Sequence, residues 1–386
     1  MINISRKSYK IKIKIVIIFM FILSVLVQAF TAEYESIGFV SQLKYIICCL
    51  TILVCLFSMY KTNTTNIFKY EFKNVVWIIF VFAIISLIRS LFAYSFTTRT
   101  LQELLFLLIP VLFAYGILNT LSHKIIDKCM LFTLIALLIG YFLEIDMGIS
   151  DFIREFTTMS FSDSYSPFES STFAGVSIAI AMYFLYFRRN KLGFILSILF
   201  VVLTFKRLAL LFTIFLIFIP KIFNYNNTVS RSILNVIKIG TFLLTLGYFL
   251  MMIPENVDKI YNLFNIDLYK LTMSRTYRFQ LIYNKSNFIN TGLGSTFNYM
   301  MNRYGVTLEM DFIKLLIEVT PMGVFIFINN MCNIVKKNWY CMFLMLFQFL
   351  NLITSHSLAS MYSWIIFYIT IGCILYGDKT NGIENY

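Results

Sequence analysis

Twelve apolar runs, each bounded by charged or polar residues, divide this chain: 15–30, 43–60, 75–94, 101–118, 129–143, 172–187, 192–205, 208–223, 235–253, 312–331, 339–354 and 358–376. A bilayer span takes roughly 20 apolar residues, so about twelve would use roughly 240 of the 386 and leave the remainder for connections. With 59% hydrophobic and 13% charged residues, the chain has too little polar surface to cover a soluble core. These runs exclude a soluble enzyme, a disordered chain and a single-anchor protein. The expected fold class is all-α: a polytopic membrane protein of about 12 transmembrane helices, one integral membrane domain over 1–386, with a large external loop before the last three.

Charge orients the runs. Arg6, Lys7, Lys10, Lys12 and Lys14 precede the first, which holds the N-terminus in the cytoplasm. No small-residue cleavage site follows, only Thr31-Ala32-Glu33, so the run reads as a retained helix and not a signal peptide. Alternating from there puts 61–74, 119–128, 188–191, 221–238, 332–338 and the C-terminus inside, and these segments with the N-terminus carry 19 of the 32 Lys and Arg. The net charge of +13 is thus largely topological and does not point to nucleic acid. Segment 144–171 carries Glu144, Asp146, Asp151, Glu155, Asp163 and Glu169 against Arg154 alone, and reads as an acidic external loop. Segment 254–311 is the large external loop. The seven cysteines lie in apolar stretches without CxxC spacing, and two histidines cannot build a His-rich zinc site.

Candidate chemistry collects at four places. Lys206-Arg207 interrupts the stretch from Leu192 to Phe223, leaving arms of 14 and 16 residues. At 1.5 Å per residue these reach about 21 and 24 Å, short of a core of about 30 Å. If both arms cross, the pair turns in a recess open to the outside, where buried cations call for an anion or water. The other reading, a positive-inside pair ending one tilted helix, would put Lys336 and Lys337 outside. Arg275 and Arg278, three residues apart, share a helical face and offer forks for phosphate oxygens; snorkelling to lipid headgroups is the plainer alternative. Asp311, Lys314 and Glu318 form a polar stripe down the tenth span, with Glu309 at its mouth. A Lys314–Glu318 pair would be structural, whereas Glu309 or Asp311 is placed to act as a general base. His356, between the last two spans, is a second base candidate. Arg89 reads as snorkelling. Gly292-Leu293-Gly294 lacks the strand and helix of a nucleotide fingerprint.

These segments resemble the O-antigen polymerase/ligase superfamily, the Wzy-type enzymes, over roughly residues 165–376. Thr204-Phe205-Lys206-Arg207-Leu208-Ala209-Leu210-Leu211 is similar to its S-x-R-x-x-L segment. Ser274-Arg275 with Gly292-Leu293-Gly294 is similar to its S-G-R…G-x-G region, without the intervening glycine. Leu315-Leu316-Ile317-Glu318 followed by Gly323 is similar to its L-L-x-E-x-G helix. Where many ligases carry His-Asn, this chain has Glu309-Met310, and its acidic Glu-x-Asp, Glu309 to Asp311, resembles the polymerase branch more than the lipid A-core ligase branch.

The resemblance implies a metal-independent glycosyltransferase without cofactor in the cytoplasmic (inner) membrane, with both termini cytoplasmic. It would join undecaprenyl-diphosphate-linked oligosaccharide repeats at the outer face, for capsule, O-antigen or exopolysaccharide, beside a flippase and a chain-length regulator. Arg207, Arg275, Glu309, Asp311 and His356 are the implied catalytic residues; Lys206, Arg278 and Glu318 bind substrate. Two other classes stay open. A GT-C glycosyltransferase with a monophosphate lipid donor would use acids such as Glu33 and Glu35, often with a divalent metal. A lipid-linked-glycan flippase or other transporter also fits about twelve spans, although no internal repeat or broken helix is visible.

Overall fold

The computed structural model describes residues 2–30, 38–62, 66–145, 148, 150–151, 154, 171–204, 206–222, 224–283 and 288–381. Glu33, Glu35 and nearly all of the acidic 144–171 loop lie outside the described residues.

Every regular element among the described residues is a helix, and each apolar run falls on one: α1 (Ile2–Phe30), α2 (Gly38–Thr62), α3 (Lys69–Phe92), α4 (Thr98–Thr120), α5 (His123–Ile145), α6 (Ser171–Phe187), α7 (Lys191–Leu203), α8 (Arg207–Ile222) and α9 (Arg231–Met251). Segment 254–311 is not a bare loop but carries α10 (Pro254–Phe264), α11 (Leu268–Leu271), α12 (Arg275–Tyr283) and α13 (Ser295–Tyr304). The chain ends with α14 (Asp311–Val335), α15 (Trp339–Thr354) and α16 (Met361–Asn381). Six helices, in α1–α5 and α9, are long and apolar enough to cross a membrane, and five shorter apolar helices accompany them. The chain is a multi-pass membrane protein.

Polar residues at the helix ends fix the boundaries. Asn190 opens α7 by accepting from the Gly193 amide at 3.1 Å, Ser230 opens α9, and Asn338 opens α15 through the Tyr340 and Cys341 amides. The left-handed Asn265 and Gly305 close α10 and α13.

Two compact units result. Unit 1 comprises Met1–Lys69, Ile109–Tyr225 and Tyr362–Tyr386; unit 2 comprises Tyr70–Leu108 and Asn226–Met361.

In unit 1, α1 packs on α2 and α5, and α6 packs on α7 and α8. In lipid, helix association rests on close packing rather than on apolar burial. Gly140 meets that need: a Cβ there would come within 2.4 Å of the Ala29 carbonyl oxygen. Helix α6 is apolar on all sides and buried from Val176 to Leu185, as a central helix must be. The Tyr141 hydroxyl donates to the Leu203 carbonyl, tying the end of α5 to the end of α7. Helix α7 stops at Leu203 and α8 starts at Arg207, so the Lys206-Arg207 break expected from the sequence is present. Arg188, just before α7, donates to the Ile217 carbonyl at 3.4 Å, so α8 runs back beside α7. Arg207 therefore sits at the end of unit 1 away from the 188–190 turn.

In unit 2, α14 lies in the centre and packs on α9 and α15. Phe82 stacks on Phe327, and Phe312 meets both Phe327 and Phe349. The run 312–331 is not one continuous helix. Thr320 has φ 69° and ψ 164°, a region only glycine enters easily, and Pro321 follows. Proline lacks the N–H that would bond the Ile317 carbonyl. The Asn290 side-chain amide donates to that carbonyl instead, at 2.5 Å.

Segments that alternation assigns to one side meet one another within each unit. In unit 2, Lys337 pairs with Glu71 at 3.2 Å and the Val229 amide donates to the Lys336 carbonyl, joining 61–74, 221–238 and 332–338. At the opposite set of ends, Ser90 donates to the Thr291 carbonyl and Thr100 to the Leu293 carbonyl, both at 2.8 Å.

Candidate functional site

All the predicted site residues except Lys206 and Arg207 belong to unit 2, and they form two adjoining clusters joined through residues 309–311. Met273 and Ser274 adopt left-handed backbone, with φ of 51° and 64°, so that α12 begins at Arg275. Three-residue spacing then puts Arg275 and Arg278 on one face. Arg278 Nη1 lies 2.7 Å from Glu309 Oε1, and Arg275 Nε lies 3.8 Å from Glu309 Oε2. Arg278 also donates to the Thr307 carbonyl at 3.1 Å. Glu309, proposed above as a base, is thus the counter-ion of the arginine pair. All three side chains stay partly exposed, at 21%, 26% and 38%. A dianionic group can displace a single carboxylate from such a clamp.

Asp311 opens α14 and is fully buried. Its Oδ1 lies 2.8 Å from His356 Nδ1, and its Oδ2 accepts from the Leu358 amide at 2.5 Å. The structure thus brings together two residues that the sequence offered as separate bases, 45 positions apart. Asp311 orients and supports the imidazole, and Nε2 is left to exchange a proton. The Asp311 carboxylate holds the His356 imidazole above its ordinary pKa of 6.5, outweighing the opposite pull of burial.

Beneath the dyad lies a buried ionic network that the sequence only half revealed. Lys314 Nζ lies 2.8 Å from Glu103 Oε1 on α4, not paired to Glu318. Arg99 also reaches Glu103, with Nη2 at 2.8 Å. The Arg99 guanidinium lies 3.6 Å from the Phe297 ring centroid, and His356 stacks over that ring at 6.5 Å. Glu318 is fully buried and accepts from the Thr296 amide and hydroxyl at 2.9 and 2.6 Å. Its carboxylate therefore caps α13, whose N-cap, Gly294, has no side chain to do so.

Gly292 and Gly294, with φ of +96° and +83°, let this loop lie against α3 and α4: a Cβ would come within 2.5 Å of Ser86 Cα and of Arg99 Cγ respectively. They serve close packing against α3 and α4. Asn290 Oδ1 accepts from the Gly292 amide at 2.9 Å, so one side chain joins the loop to the α14 break.

Sequence reasoning missed Arg99, Glu103, Asn290 and Thr296. Only Glu103 carried a usable signal, as an acid inside an apolar run. In unit 1, Arg207 is exposed at the start of α8, with Lys206 half-buried before it. Among the described residues, no three His, Cys, Asp or Glu side chains gather as metal ligands. No family model, no curated protein and no solved structure matches this chain.

Proposed function

We propose that this chain is a polysaccharide polymerase of about twelve spans. It would join undecaprenyl-diphosphate-linked oligosaccharide repeats at the outer face of the cytoplasmic membrane. The observation that carries the reading is the arginine pair held by an exchangeable carboxylate, two residues from an Asp–His dyad.

The donor's diphosphate takes the place of Glu309 on Arg275 and Arg278. The acceptor sugar hydroxyl gives its proton to His356 Nε2 as its oxygen attacks the donor's anomeric carbon. The bond from that carbon to the diphosphate oxygen breaks, and lipid diphosphate leaves with the electron pair. Fixed cations aimed at that growing charge supply transition-state stabilisation. The Asp311 carboxylate steadies the imidazolium that forms. Glu318, occupied in capping α13, holds the Arg99–Phe297 wall in position.

A second reading, a lipid-linked-glycan flippase, draws on the α14 break beside buried charge, since broken helices mark transport sites. One experiment separates the two. Cells whose own copy is replaced by Arg275→Ala/Arg278→Ala should display single repeats on the surface and no polymer. Repeats trapped on the inner leaflet would instead establish the flippase and reject the polymerase.

A further inference from the structure

One end of unit 1 holds an open pocket of about 400 Å³ lined by His123, Tyr186, Phe187, Arg189, Tyr225 and residues 373–377. Four segments distant in sequence build it: the start of α5, the turn before α7, the stretch after α8 and the last turns of α16. Alternation assigns all four to the cytoplasmic side. The pocket is at the opposite end of unit 1 from Lys206-Arg207.

His123 is 1% exposed. Its Nδ1 lies 3.3 Å from Asp127 Oδ2, and Asp127 Oδ1 accepts from the Tyr183 hydroxyl, which fixes the carboxylate behind the ring. Nε2 has no partner. It turns toward Gly377, where a Cβ would come within 3.5 Å of it. A buried ring nitrogen left unsatisfied is costly unless something in the pocket answers it. At the exposed lip, the Arg189 guanidinium lies 5.7 Å over the Phe187 ring, which steadies it.

The lining chemistry selects an anion. Among the described lining residues are one permanent cation, one imidazole and three tyrosines, and no carboxylate. A guanidinium grips phosphate oxygens through paired N–H donors. A phosphate monoester, with a second pKa of about 6, also offers a P–OH donor to Nε2 while its other oxygens accept from Arg189 and the tyrosines. A sulfonate or carboxylate lacks that donor at neutral pH.

We infer that this pocket binds a phosphate monoester, as the headgroup of a phosphatidic-acid-like lipid or as free phosphate. The inference is independent of the sugar-polymer reading. The test uses the full chain in two arms: calorimetric titration with inorganic phosphate in detergent, and native mass spectrometry of lipid retained from phosphatidylcholine nanodiscs with and without phosphatidic acid. Saturable binding is expected in at least one arm, and the arm that responds identifies the source.

Arg189→Gln changes an exposed side chain and should weaken binding about tenfold or more. His123→Leu should do the same. Should that buried change unfold the protein, as circular dichroism would reveal, Arg189→Gln alone decides. Arg188→Gln should leave binding unchanged, because Arg188 donates to the Leu185 and Ile217 carbonyls and does not line the pocket. Absence of saturable binding in both arms, or equal loss in Arg188→Gln and Arg189→Gln, overturns the proposal.

Discussion

Glu103→Gln should be among the most damaging single changes in unit 2. Glu103 and Lys314 are 2% and 3% exposed, with 2.8 Å between Nζ and Oε1. At that distance and an effective dielectric of about 20, the attraction is about 6 kcal/mol. Desolvation of both ions offsets much of it, and removing one partner of such a pair costs about 3–5 kcal/mol. The two partners are not equivalent. Without Lys314, Glu103 keeps Arg99 at 2.8 Å, whereas without Glu103 the ammonium has lost its direct counter-ion.

Lys314→Met should therefore cost less than Glu103→Gln, and the double variant should be more stable than Glu103→Gln alone. The assay is reversible unfolding of the purified protein in mixed micelles, followed by circular dichroism. A loss of about 3–5 kcal/mol lowers the folded-to-unfolded ratio about 150-fold to 5,000-fold. Additive effects in the double variant, or a Glu103→Gln loss below about 1 kcal/mol, the range of an exposed pair, would refute the reasoning.

Four further outcomes follow from the geometry. The His356 pKa is raised by Asp311, so their bond stabilises the fold fully below the ordinary value of 6.5 and is lost as pH rises through the folded value. Melting temperature should fall across that alkaline limb, and His356→Gln should flatten it. Asn290→Ala should cost about 1–3 kcal/mol by orphaning the Ile317 carbonyl, read in the same micelle titration. Thr320→Gly should be neutral or stabilising there, because its backbone is one that glycine adopts without strain; a loss of about 1 kcal/mol, as in an ordinary helix interior, would speak against the break. Reporter fusions after Ser274 and after Lys337 should fall on opposite sides of the membrane.

Local pattern made much of this legible. Apolar runs became helices because a backbone in lipid must satisfy its own hydrogen bonds, and Lys206-Arg207 ended one because two cations interrupt such a run. Three-residue spacing paired Arg275 with Arg278, and the Asp311, Lys314 and Glu318 stripe proved buried. What escaped was long-range. No window of sequence joins Asp311 to His356, or Lys314 to Glu103. A single acid barely lowers the hydropathy of 101–118. The run 312–331 stays apolar across Thr320-Pro321, so hydropathy passed over the break. The proline was visible, but the asparagine that compensates it lies in another segment. The division into two units leaves no trace in hydropathy, since each is assembled from separated stretches.

The most direct test of the central claim is elongation by the purified chain in liposomes, supplied with undecaprenyl-diphosphate-linked repeats and EDTA. A ladder of lengthening glycan is expected with the native chain. Arg275→Ala/Arg278→Ala should slow it about 100-fold or more, the scale of losing oriented charge at a leaving group. No ladder from folded native chain, or an undiminished one from the double variant, would contradict the account.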